Sequence, residues 1–115
     1  MKAIKIIILI LITCYVGFSC ESSTYDDISG QVSNPTYTAN VKYIIVNNCL
    51  SCHSAAAGQN PTMDTYSEVR DAAENGGMIC RIDDQSCGSV MPQSGRMPQT
   101  TINTIKKWAT NGYPN

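Results

Sequence analysis

A chain of 115 residues with a formal net charge of −1 has room for one domain and lacks the basic surface that nucleic-acid binding requires. Its six cysteines are numerous for so short a sequence, so the redox compartment becomes an early question. Its single histidine, His53, excludes any site that needs two imidazoles from one monomer.

The chain opens with Lys2 and Lys5 around the start of an apolar run, Ile6-Ile7-Ile8-Leu9-Ile10-Leu11-Ile12, which continues more weakly to Phe18. A spanning helix needs about 20 apolar residues. This run is shorter and is interrupted by Thr13, so residues 1–19 read as a secretory signal and the mature chain as an exported one. Gly17-Phe18-Ser19-Cys20 resembles a bacterial lipoprotein cleavage site, with a small residue before the cysteine that takes the lipid. Cys14 follows the less suitable Thr13 and leaves with the signal. A lipid on Cys20 would anchor the chain to a membrane through its buried methylenes. Six basic and nine acidic residues follow Cys20, a net charge of −3. Residues 20–37 are rich in Ser, Thr, Asp and Gly and read as a flexible polar tether. As a random coil it would span about 20–24 Å.

A domain is expected over residues 38–115. Thr38 is placed to cap a first helix, in which Val41, Ile44, Ile45 and Asn48-Cys49 follow at helical spacing. Thr65-x-x-Glu68 is a capping box, followed by Val69, Ala72 and Ala73 and stopped by Asn75-Gly76-Gly77. A last helix carries Ile102, Ile105, Trp108 and Ala109 on one face. Its end holds Lys106 and Lys107, where the helix dipole favours cations, and Asn111-Gly112 and Pro114 stop it. No segment alternates with period two, so the predicted class is all-α.

A core of this size usually needs a staple. The chain has one Trp and one Phe, and the Phe lies in the signal, so a buried cofactor would add the missing apolar bulk. Cys49-Leu50-Ser51-Cys52-His53 is C-x-x-C-H, the attachment motif for c-type haem. On a helical turn, positions i, i+3 and i+4 share one face, so two thiols can reach two vinyl groups while the imidazole reaches the iron. Two other chemistries use the same residues. Cys49, Cys52, Cys80 and Cys87 could form a four-thiolate zinc shell, and C-x-x-C serves thiol–disulfide exchange. Export disfavours the first, because the compartment oxidises thiols, and there Cys80 and Cys87 read as a disulfide. The helix expected before the motif disfavours the second. The sixth ligand of a haem iron cannot be histidine here. Met91 and Met97 both precede proline in the stiff loop Met91-Pro92-Gln93-Ser94-Gly95-Arg96-Met97-Pro98, and chemistry alone leaves the choice between them open.

The order of these motifs resembles that of the small monohaem c-type cytochromes of the class I fold. A helix enters Cys49-x-x-Cys52-His53, a Met63-Asp64-Thr65-Tyr66-x-x-Val69 segment follows, then a Met91-Pro92 loop and a final Ile105-Lys106-Lys107-Trp108 helix. The resemblance covers Thr38 to Asn115 and implies a small helical domain around one covalent haem c, held by Cys49 and Cys52. It implies axial ligation by His53 and Met91, with Met97 at the apolar position of the loop and as the alternative ligand. It also implies that the first and last helices cross near Trp108. Cys80 and Cys87 are outside the family's general pattern, and a bridge between them would limit the freedom of the loop that follows.

His/Met ligation leaves no open position for substrate, so the expected activity is outer-sphere electron transfer and no catalytic residue is expected. The expected partners are redox proteins of the cell envelope, with the chain in the periplasm or envelope and tethered by lipid. A haem subunit or ligand sensor of a larger envelope complex is the alternative, and a structural zinc lipoprotein a further one.

Overall fold

The computed structural model describes residues 31–84 and 86–115. The expected signal, Cys14, the expected lipid site Cys20 and most of the expected tether lie outside these residues. Among the described residues there is no strand, and the architecture is all-α. A π-helical turn, Tyr37–Val41, leads into α1 (Lys42–Asn48), followed by α2 (Leu50–His53), α3 (Tyr66–Glu74), α4 (Met78–Ile82) and α5 (Gln99–Thr110).

The first helical segment starts earlier than its sequence suggests. Thr36, in extended conformation, accepts from the Ala39 amide and is the cap, while the Thr38 hydroxyl donates instead to Asn115 Oδ1 at 3.2 Å. The Asn40 side chain accepts from the Thr36 amide at 3.1 Å, which closes the start of the chain reciprocally. Both Asn40 and Val41 amides share the Thr36 carbonyl, and this sharing produces the widened π turn. Pro35 and Tyr37 are already buried, so the folded unit includes residues assigned above to the tether.

The helix that enters the cysteine motif is broken at Cys49, whose backbone sits at φ −120°. The break has a local cause. Asn47 and Asn48 donate from their side chains to the carbonyls of Tyr43 (2.7 Å) and Ile44 (2.8 Å), one turn back, competing for the helix's own acceptors. Helix α3 is capped as its sequence demands. Thr65 accepts from the Glu68 amide and the Glu68 carboxylate accepts from the Thr65 amide at 2.8 Å. Helix α4 was absent from the sequence reading. Its five residues carry Met78 and Ile82, both buried, at the i, i+4 spacing of a single apolar turn.

The core is centred on Trp108, which is fully buried. Its ring packs against Tyr37 (centroids 6.2 Å), Tyr66 (6.5 Å) and Tyr113 (5.0 Å), the last two edge-on. Three polar groups of this cluster bond to the main chain at the C-terminal end. Trp108 Nε1 and the Tyr37 amide both donate to the Pro114 carbonyl at 2.8 Å, and the Tyr66 hydroxyl donates to the Tyr113 carbonyl at 2.6 Å. Tyr113 reaches this position in the left-handed region, at φ 59°. The start of the described chain, α3 and the end of α5 are thereby fastened at one point. Ile102 and Ile105 extend the buried face of α5, whereas Ala109 is only half-buried.

Replacing Trp108 by Ala should lower the unfolding free energy by about 3–5 kcal/mol, and Thr65→Ala by about 1 kcal/mol, both read by urea denaturation. Hydrogen bonds from Thr62 and Thr65 hold the Glu68 carboxyl below its ordinary range, and Lys106 does the same for Asp83. A depressed folded pKa means that the unfolded chain takes up protons first as pH falls. Stability should therefore be fully present above the ordinary carboxylate range of about 4. It should decline as pH falls through the lower folded values. Urea midpoints across the acid range should show a shallower decline in Glu68→Gln and Asp83→Asn than in the parent chain.

Candidate functional site

Two adjoining cavities, of about 220 and 210 Å³, open beside the break at Cys49. They share Asn48, Cys49, His53, Met91 and Pro92 as walls. Singly they fall below the about 300–1,000 Å³ of small-molecule pockets, and jointly they fall within it. Met63, Met78 and Ile82 complete the apolar side of the first, and Cys52 lies on the wall of the second. Residues from α1, α2, α4 and three loops thus meet at one cleft, and none of the four aromatic rings of the core takes part in it.

The motif is presented by backbone hydrogen bonds centred on Cys49. Its carbonyl accepts from the amides of Cys52 (3.1 Å) and His53 (2.9 Å), so the short turn α2 carries the second thiol and the imidazole. The Met63 amide donates to the His53 carbonyl at 2.8 Å, which ties the turn to the segment before α3. The Asp64 carboxylate accepts from the Ala55 amide at 2.7 Å and closes the same connection from the other end.

The His53 ring is oriented by its second nitrogen. Nδ1 lies 2.8 Å from the Pro61 carbonyl. A carbonyl can only accept, so Nδ1 is the protonated nitrogen and Nε2 of the neutral ring keeps its lone pair. A ring fixed in this way is the usual arrangement of a metal-binding histidine. Pro61 was not singled out from the sequence, and main-chain acceptors leave no signature in residue type. Gly76 was read only as part of a helix stop. It also lines the cleft, where an added Cβ would sit 2.9 Å from the Ala72 main chain, so no larger residue fits without backbone movement.

The two methionines separate clearly. Met91 is half-buried on the wall shared by both cavities, while Met97 is 5% exposed, belongs to the hydrophobic core and lines neither cavity. The remaining cysteines also separate. Cys80 and Cys87 are at bonding distance, with Cα atoms 5.8 Å apart, whereas Cys49 and Cys52 are free thiols. Cys80 and Cys87 are therefore committed to each other and do not join Cys49 and Cys52 in a four-thiolate shell. Burial pushes the Cys49 thiol up to about 11, the direction opposite to that required for rapid thiol exchange.

This donor set fits a covalent haem. Two thiols, an imidazole and a thioether line the adjoining cavities, and each is a group for which a haem would have a partner atom.

In the polypeptide with both thiols free, iodoacetamide at neutral pH should modify the exposed Cys52 first. Cys49 should react only as the pH approaches 11, because the thiolate is the nucleophile. Peptide mapping after timed alkylation reads both rates. No family model, curated protein or solved structure matches this chain, so the functional reading rests on the geometry of the cleft and the Cys49–His53 motif.

Proposed function

We propose that this chain is an exported electron carrier that holds one haem c through Cys49 and Cys52, with His53 and Met91 as axial ligands. The observation that carries the proposal is the convergence of Cys49, His53 and Met91 on one cleft, with His53 turned so that Nε2 is its free donor. When bound, the haem supplies a one-electron iron couple.

The chain's own residues have distinct parts in this reading. Cys49 and Cys52 provide thioether bonds, which retain a cofactor in a compartment where free haem would be lost. The Pro61 carbonyl holds the imidazole in one tautomer and orientation. Met91 provides a weak thioether donor, which favours a higher potential than a second nitrogen would. Met63, Met78 and Ile82 exclude water from the wall of the cleft. With His53 and Met91 both committed to the group, the site would keep no protein-free ligand position for a substrate, which suits electron exchange. The polar segment before Pro35, with a lipid on Cys20, would keep the carrier near membrane-associated redox partners and raise its effective concentration there. Assembly as a haem subunit of an envelope complex uses the same residues, and co-purification from solubilised membranes separates it from a free shuttle.

Full-length precursor expressed with a cytochrome c maturation system should yield a red protein whose mass exceeds polypeptide plus lipid by one haem. A colourless, folded product with no added mass would overturn the proposal. Met91→Ala should keep the haem attached, abolish the near-infrared sulfur–iron band of the ferric form and lower the midpoint potential. Met97→Ala should keep the band and instead lower unfolding stability by about 2–5 kcal/mol, as removal of a buried methionine does.

A further inference from the structure

The loop that carries Met91 is fastened at both ends to one short stretch of chain. At its start, the Met91 amide donates to the Arg81 carbonyl at 3.1 Å. Within it, the Gly95 amide donates to the Pro92 carbonyl at 3.1 Å and closes a turn. At its end, Arg96 donates to the Asp83 carboxylate at 3.4 Å and also to the Asp83 carbonyl at 3.4 and 3.5 Å, beside the buried Met97. The two anchoring residues, Arg81 and Asp83, are separated by one residue, and both lie inside the ring closed by Cys80 and Cys87.

Asp83 has a second partner. Its other carboxylate oxygen accepts from Lys106 Nζ at 2.6 Å, so it joins the Met91 loop to α5. Its amide donates to the Ile79 carbonyl at the end of α4. The segment just after the ring passes the Arg81 side chain. The Arg81 guanidinium donates to the Ser89 carbonyl at 3.4 Å, and an added Cβ at Gly88 would meet it at the same distance.

We propose that the Cys80–Cys87 ring is a brace that holds Met91 at the cleft, acting through the Arg81 carbonyl and through Asp83 as a positioning residue. Met91 is presented by a loop that has no regular secondary structure of its own, so its position depends on these attachments. The bridge reduces the freedom of the anchor, and the ion pairs of Asp83 fix the anchor to the rest of the fold. Met91 as an iron ligand rests on the function proposed above, whereas the brace itself is read independently of any cofactor.

The experiment combines hydrogen exchange of the Met91 amide with carbon monoxide binding to the ferrous, haem-loaded full chain. In Asp83→Asn, Met91 exchange and carbon monoxide association should each accelerate by about threefold or more, the scale of losing a partly exposed ion pair. The Val69 amide, bonded to Thr65 within α3, should keep its protection. If the variant does not fold, the same readings are taken on the parent chain after opening the bridge with a phosphine, with alkylation and intact mass confirming two free thiols. Acceleration is again expected at Met91 and not at Val69. Unchanged Met91 protection in Asp83→Asn or in the opened chain overturns the brace, as does equal loss of protection at Val69. A parent chain without haem leaves the exchange reading intact and refutes the electron-carrier proposal instead.

Discussion

The Pro114 carbonyl is the point on which the fold closes. It receives the indole N–H of Trp108 from the last helix and the amide of Tyr37 from the first turn, both at 2.8 Å. A buried indole N–H without an acceptor would carry a desolvation penalty of about 1–3 kcal/mol, so the last residues have to return across Trp108 for the core to form. That return sets the left-handed turn at Tyr113, brings its ring against Trp108 and offers its carbonyl to Tyr66. First turn, middle helix and last helix are fixed by these contacts. A second region of the chain can then leave a cleft open without the whole domain collapsing into it.

This division alters the physical argument that the sequence alone suggests. Counting large apolar residues gives a thin core, with one Trp and no Phe after position 18. The count omits tyrosine, and three tyrosines pack around that Trp, the Tyr66 hydroxyl bonded to the Tyr113 carbonyl. A cofactor is therefore not needed to make the aromatic half of the core. What remains for it is the other half, where Met63, Met78 and Ile82 are buried beside open volume.

The helical class, the capping box at Thr65 and the buried face of the last helix were legible because each is written in local periodicity or in side-chain type. The break at Cys49 was not, since it follows from two asparagine amides bonding back to the preceding turn, an alternative that competes closely with continued helix. The start at Thr36 was missed for a related reason. Thr36 and Thr38 are chemically equivalent caps, and only the extended backbone at Thr36 and the contact of Thr38 with Asn115 distinguish them. At the cleft, the residue types of the motif were readable and their orientation was not. The Pro61 carbonyl that turns His53, and the close passage of Gly76 past Ala72, depend on main-chain atoms, whose placement residue type does not announce.

Under the proposed function, the unequal surroundings of Cys49 and Cys52 would have a consequence for the polypeptide before a cofactor is attached. Two neighbouring thiols in an oxidising compartment are at risk of bonding to each other, which would remove both from further chemistry. Closing such a pair requires a sulfur anion on one partner and an activated sulfur on the other. Shielding Cys49 within the fold makes its anion scarce at neutral pH, so an oxidant that captures Cys52 at the surface meets a reluctant neighbour. In the proposed carrier, this shielding would slow closure of a Cys49–Cys52 disulfide.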